Sequence, residues 1–140
     1  MNALEFLDTD VFVYCFATAD SHKQEVAKGL VRRALAGQVA TSTQVLGEFA
    51  STLLHKVVPR VDPELLISAL DSFASIPTVT TDADLVRRAV QVRARYGLHF
   101  YDSLIVAAAE RAKCETIWSE DLSSGQQYFA ITVRNPFLLA

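Results

Sequence analysis

Four carboxylates stand where apolar segments of the sequence begin or end. Asp8 follows Leu4-Glu5-Phe6-Leu7, Glu48 lies inside Val45-Leu46-Gly47-Glu48-Phe49, Asp102 precedes the run from Leu104 to Ala109, and Asp121 follows Ile117-Trp118-Ser119-Glu120. Bringing carboxylates towards apolar packing and towards one another costs desolvation and mutual repulsion, so several of them converging implies a compensating cation. A hard ion such as Mg²⁺ or Mn²⁺ takes oxygen ligands and retains water. An open site of three or four carboxylates therefore suits metal-assisted phosphoryl chemistry, in which a bound water becomes the nucleophile.

Other metal chemistries fit poorly. The histidines His22, His55 and His99 have no HxxxH or HxH spacing, and Cys15 and Cys114 form no CxxC, so a metal here would take oxygen ligands. The two cysteines read as buried free thiols. A net charge of -3 excludes binding nucleic acid through a strongly basic surface alone, although a divalent cation held by the acids would reverse the local field where a phosphate must sit.

The elements that must position these acids can be read from periodicity. A strand over Leu4–Leu7 feeds a helical turn from Val11 to Phe16. Ser21 and Gln24 read as a capping box for a helix closing at Gly37. Strands are expected at 39–41, 78–80, 116–118 and 131–133. Helices are expected after Ser42 or Thr43, after Asp62-Pro63, from Thr81 to Gly97, and from Asp102 to Lys113, the last apolar nearly all round and hence interior. With 140 residues, 51% of them hydrophobic, and no linker or repeat, the chain reads as a single α/β domain over 1–140 with a mostly parallel sheet of about five short strands. Ligands of such sheets collect at the carboxyl ends of the strands, where Asp8 and Asp121 fall. No apolar run approaches the length of a membrane span, and the start MNALEFLD lacks a basic signal segment, so the expected location is the cytoplasm, with no membrane contact.

The segments LDTDVFVY, QVLGEFAS, FYDSLIVAAA and WSEDLSSGQ, in that order over nearly the whole chain, resemble those of PIN domain nucleases, most of all the VapC-type toxins of toxin-antitoxin pairs. The resemblance implies a three-layer α/β/α fold in which Asp8, Glu48, Asp102 and Asp121 hold one or two Mg²⁺ or Mn²⁺ ions and activate a water that cleaves RNA. It implies Thr9 and Ser119 as hydrogen-bond donors to those carboxylates, a small antitoxin protein as partner, and a homodimer; the apolar Val57, Val58, Leu65 and Leu66 could serve its interface or only the core. Asp10 departs from the pattern, which more usually has Asn or Ser there.

That departure opens a rival, because Asp8-Thr9-Asp10-Val11 also looks like the DxD of haloacid-dehalogenase-type phosphatases, although Phe12 and the absence of a downstream lysine and paired-aspartate motif disagree. A phospho-receiver domain lacks its lysine after the last strand. A catalytically silent binding module on the same fold is the alternative from a different class. Asp20, Asp62, Asp82 and Asp84 read as helix caps, and Glu120, beside Asp121, as an outer member of the site. Arg87, Arg88, Arg93 and Arg95 could track RNA phosphates or merely solvate their helix; of these Arg87, Arg88 and Arg95 are the candidate RNA contacts. Phe100 and Tyr101 could stack on a base or pack in the core.

Overall fold

The computed structural model describes residues 4–138. The chain runs β1 (Glu5–Leu7), α1 (Thr9–Phe16), α2 (Ser21–Leu35), β2 (Val39–Ser42), α3 (Thr43–His55), α4 (Pro63–Ser72), β3 (Thr78–Val79), α5 (Ala83–Tyr96), α6 (Phe100–Arg111), β4 (Thr116–Trp118), β5 (Gln127–Tyr128) and β6 (Ile131–Arg134), with 3₁₀ turns at Phe73–Ser75 and Pro136–Leu138. Among the described residues the strands form one six-stranded sheet in the order β3-β2-β1-β4-β6-β5. All pairings are parallel except β5 with β6. The sequence reading missed β5, which is two residues long and pairs back as a hairpin.

This order contains a reversal. The chain steps from β1 outward to β2 and β3, then returns through α5 and α6 to β4 on the other side of β1. Parallel crossovers are right-handed as a rule, so crossovers travelling in opposite directions put α1 to α4, linked by contacts of α1 with α2 and α3 and of α3 with α4, on one face and the packed pair α5 and α6 on the other, a three-layer arrangement. Phe6, Leu7, Val39, Ile117 and Val133 are fully buried between the layers. Every residue of α6 from Ser103 to Ala109 is buried, as its near-uniform apolar character requires, and α6 lies against β2 and β4.

Helix starts follow side-chain chemistry. Asp20, Ser42, Asp62 and Asp82 each accept a backbone N–H of the following first turn. Asp20 thus displaces Ser21 as the cap of α2, and Asp84 lies inside the first turn of α5 rather than capping it. Gly97 ends α5 at φ +72°, the left-handed conformation that glycine adopts without a Cβ penalty. Helix α6 begins at Phe100, before the expected Asp102, because His99 caps it by accepting the Tyr101 N–H at 3.2 Å. Cys114 is buried and Cys15 half-buried, neither in a disulfide, and burial pushes their thiols up to about 12 and about 11. Val57, Val58, Leu65 and Leu66 do not act together: Leu66 is core and Val57 half-buried, while Val58 and Leu65 are exposed. Among the described residues no helix is long and apolar enough to cross a membrane.

Candidate functional site

The register between β1 and β4 sets the site. Leu7 pairs with Trp118, so Asp8 and Ser119 emerge side by side at the carboxyl ends of two parallel strands, at the point where the sheet order reverses. The Asp8 N–H donates to the Trp118 carbonyl at 3.1 Å. Asp8 caps α1, its Oδ1 accepting the Thr9 N–H at 2.8 Å, while its Oδ2 accepts the Ser119 hydroxyl at 2.8 Å. Only 6% of Asp8 is exposed. Burial raises its carboxyl to about 6; the Ser119 and Thr9 hydrogen bonds pull it down, and the charges of Glu48 and Asp121 push it up.

Glu48 comes in from α3. It is half-buried, with Oε2 accepting the Thr9 hydroxyl at 2.8 Å and Oε1 accepting Gln44 Nε2 at 2.8 Å. Gln44 also donates to the Tyr101 carbonyl at 3.1 Å, tying α3 to the first turn of α6, where Asp102 sits partly exposed. Sequence reasoning missed Gln44, although its position one turn before Glu48 was a readable signal.

The loop after β4 supplies the rest. Ser119 is fully buried, and besides donating to Asp8 it accepts the N–H groups of Asp121 at 3.2 Å and Leu122 at 3.1 Å. Asp121 opens onto solvent, and its carboxyl is raised by partial burial, then by the charges of Glu120, Asp102 and Glu48. Glu120 faces other partners, Lys23 Nζ at 2.6 Å and the Tyr14 hydroxyl. Burial alone would raise Glu120; those two hydrogen bonds outweigh it and hold the carboxyl below its ordinary value. Glu120 is therefore engaged in an ion pair beside the acidic group, and Tyr14, which holds it, had no sequence signal.

Asp10 is 9% exposed, and its Oδ2 accepts the N–H groups of Glu120 at 2.7 Å and Asp121 at 3.1 Å. Its Oδ1 is buried without a partner. Burial and the charge of Asp8 raise its carboxyl to about 8 against the pull of the two N–H groups.

The four acids singled out in the sequence are thus linked through Asp121: Asp8 feels the charges of Glu48 and Asp121, Asp121 those of Asp102 and Glu48, and Asp10, a fifth, those of Asp8 and Asp121. Among the described residues no three His, Cys, Asp or Glu side chains close on a common point; Asp8 and Glu48 are turned onto Ser119, Thr9 and Gln44. The donor set is all oxygen and its field negative, which fits a hard divalent cation.

The arginines of α5 differ in availability. Arg88 makes two bonds to Glu110, at 2.7 and 2.8 Å, and lies over the Phe129 ring at 4.8 Å. Arg93 donates to the Leu98 carbonyl. Arg95 lies over the rings of Tyr96 and Phe129, with no carboxylate partner among the described residues, and Arg87 is exposed. Phe100 packs against the core, whereas Tyr101 is 56% exposed.

The model of the PIN domain family matches residues 6–123. No curated protein gives a sequence match. Among solved structures, the Mycobacterium tuberculosis VapC20 toxin, described as cleaving the sarcin-ricin loop, superposes with a TM-score of 0.66 at 20% identity, over 84% of this chain and 91% of its own. A toxin-antitoxin complex from Klebsiella pneumoniae does so at 0.66 and 18% identity, over 94% and 97%. FitAcB from Neisseria gonorrhoeae gives 0.65 at 18%, over 96% and 99%.

Proposed function

The chain belongs to the PIN domain family, and from that premise we propose that it is a metal-dependent endoribonuclease, the toxin of a toxin-antitoxin pair acting in the cytoplasm. The reading is supported by the chain of acids at the reversal point of the sheet, where the charges of Glu48 and Asp121 raise the Asp8 carboxyl and those of Asp102 and Glu48 help to raise that of Asp121. A divalent cation relieves that repulsion, so the energy stored by the fold in assembling the acids becomes affinity for the ion.

Asp8, Glu48, Asp102 and Asp121 would hold Mg²⁺ or Mn²⁺. The ion, when bound, supplies Lewis-acid polarisation of the scissile phosphodiester and a more acidic water. The chain's own residues do the rest. Ser119 and the Thr9 N–H fix the two oxygens of Asp8, and the Thr9 hydroxyl and Gln44 fix those of Glu48, so that neither carboxylate must be ordered when the ion arrives. Arg95 and Arg87 can take RNA phosphates, and Tyr101 presents an exposed ring to an unpaired base; Arg88 first has to leave Glu110. The toxins resembled in fold support an antitoxin partner that covers the acidic edge, and a second copy of the chain would use the exposed Val58 and Leu65.

The test incubates the protein with total RNA and defined transfer RNAs in Mn²⁺, in EDTA, and with a folded Asp102→Asn variant. Cleavage present in Mn²⁺ and lost in both controls is the expected result. Folded protein that binds Mn²⁺ and cuts nothing across a broad RNA panel would return the chain to a binding module, and hydrolysis of small phosphomonoesters would favour the phosphatase.

A further inference from the structure

We propose that Asp10 is a positioning residue: one oxygen of its carboxylate receives the backbone N–H groups of Glu120 and Asp121 and thereby fixes the loop that carries Asp121 opposite Asp8. The importance of Asp121 rests on the functional reading above, whereas the contact itself is open to test without it.

The loop leaving β4 turns so that the N–H groups of residues 120, 121 and 122 all lie off the strand ladder. Buried N–H groups need acceptors. Ser119 Oγ serves residues 121 and 122, at 3.2 and 3.1 Å; Asp10 Oδ2 serves residue 120 at 2.7 Å and shares residue 121 at 3.1 Å. Asp10 stands in the first turn of α1, whose start is set by the Asp8 cap. One rigid helix end therefore carries a site carboxylate and, two residues on, the acceptor that holds the loop bearing another. The sequence separation bridged is 110 and 111 residues, and the Glu120 N–H has no other acceptor among the described residues, whereas the Asp121 N–H shares Ser119 Oγ.

What the contact demands is an acceptor oxygen at a fixed place, and nothing in it demands a charge. Oδ2 is committed to the loop, and Oδ1 is buried without a partner. Asn at this position keeps the acceptor and places its amide where Oδ1 lies; Ala keeps neither.

The experiment is amide NMR on the whole chain. In the wild type, couplings across the hydrogen bonds should connect the Asp10 carboxyl carbon to the nitrogens of Glu120 and Asp121. Their absence overturns the proposal whether or not any variant folds. In Asp10→Ala, hydrogen exchange at those two amides should accelerate about tenfold or more while β1 and β2 amides keep their protection. Asp10→Asn should restore it. Mn²⁺ titrated alone should bind Asp10→Ala more weakly and Asp10→Asn about as well as wild type. If Asp10→Asn weakens Mn²⁺ binding as much as Asp10→Ala while both amides stay protected, Asp10 acts through its charge and the positioning role is wrong. If the amides respond as stated in a protein that cuts no RNA, the loop contact stands and the nuclease reading falls.

Discussion

Two acidic regions of this molecule contrast in how their charges are met. On the α5–α6 side, Glu110 is held by Arg88 and Asp82 by Arg111, and each carboxylate has its cation within 2.9 Å. At the carboxyl edge of β1 and β4, Asp8 has a hydroxyl and a backbone N–H as partners and Asp10 two backbone N–H groups; among the described residues neither they nor Asp121 pairs with a basic side chain, and all three carboxyls are raised, by burial first and then by neighbouring carboxylates. Adjacent residues divide along the same line: Glu120 is tied to Lys23, while Asp121 is left among acids. Paired acids are part of the scaffold. Acids that a fold buries together and leaves without a cation are the ones that can take one up.

The sharpest way to break this contrast is to neutralise one member of each region. Asp8→Asn should lower RNA cleavage by about 10²–10⁴-fold, the range for a positioned group that handles the reacting charge or proton, with a matching loss of Mn²⁺ binding by calorimetry. Glu110→Gln should leave both within about twofold. Equal losses in the two variants would mean that the edge cluster has no special role.

Stability should respond with the opposite sign. Asp8 moves from an ordinary 3.8 to about 6, roughly two pH units at about 1.4 kcal/mol each. A raised carboxyl favours the folded state most when protonated, so its contribution is fully present below pH 3.8 and is lost as pH rises through about 6. Asp10, raised to about 8, extends the loss further upward. In EDTA, Asp8→Asn should therefore be more stable than wild type at pH 7.5, on the order of 2–3 kcal/mol, and the advantage should vanish near pH 3.5. Urea denaturation at both pH values measures it. Destabilisation at pH 7.5 would show that the Ser119 and Thr9 hydrogen bonds outweigh the burial of charge.

How far the sequence could take a reader follows from the range of the forces involved. Strand-to-helix alternation, the aspartate caps at Asp20, Asp62 and Asp82, and the Gly97 stop are local and were readable. The four acids stood out because each lies within or at the end of an apolar run; in the fold Asp8, Glu48 and Asp121 act on one another's charge, and Asp102 acts on Asp121. Strand β5 was not readable, since Gln127–Tyr128 is too short to alternate and exists only through its pairing with β6. The start of α6 was misplaced because histidine is a poor predictor of a cap. Asp10 was flagged as a departure but not explained: its partners are loop amides brought to it only by β1–β4 pairing. Tyr14 and Lys23 around Glu120 are tertiary in the same sense.

A smaller effect tests whether RNA reads the basic side of the comparison. Among the described residues Arg95 has aromatic faces for partners, so Arg95→Ala should raise KM for RNA several-fold with kcat unchanged, and should flatten the salt dependence of binding by about one ion. Arg88→Ala should do less, because its guanidinium is already spent on Glu110.

The smallest effect belongs to that pair itself. Arg88 and Glu110 are each about a third exposed, 38% and 33%, so solvent and salt screen their attraction. Glu110→Gln should cost about 0.5 kcal/mol or less in urea denaturation, and the difference should shrink further in 1 M salt. The same substitution frees Arg88 for phosphate, so RNA affinity in Glu110→Gln should rise slightly as stability falls. A fall in both would mean that the pair's main work is to hold Arg88 over Phe129, and with it the hairpin beside Asp102.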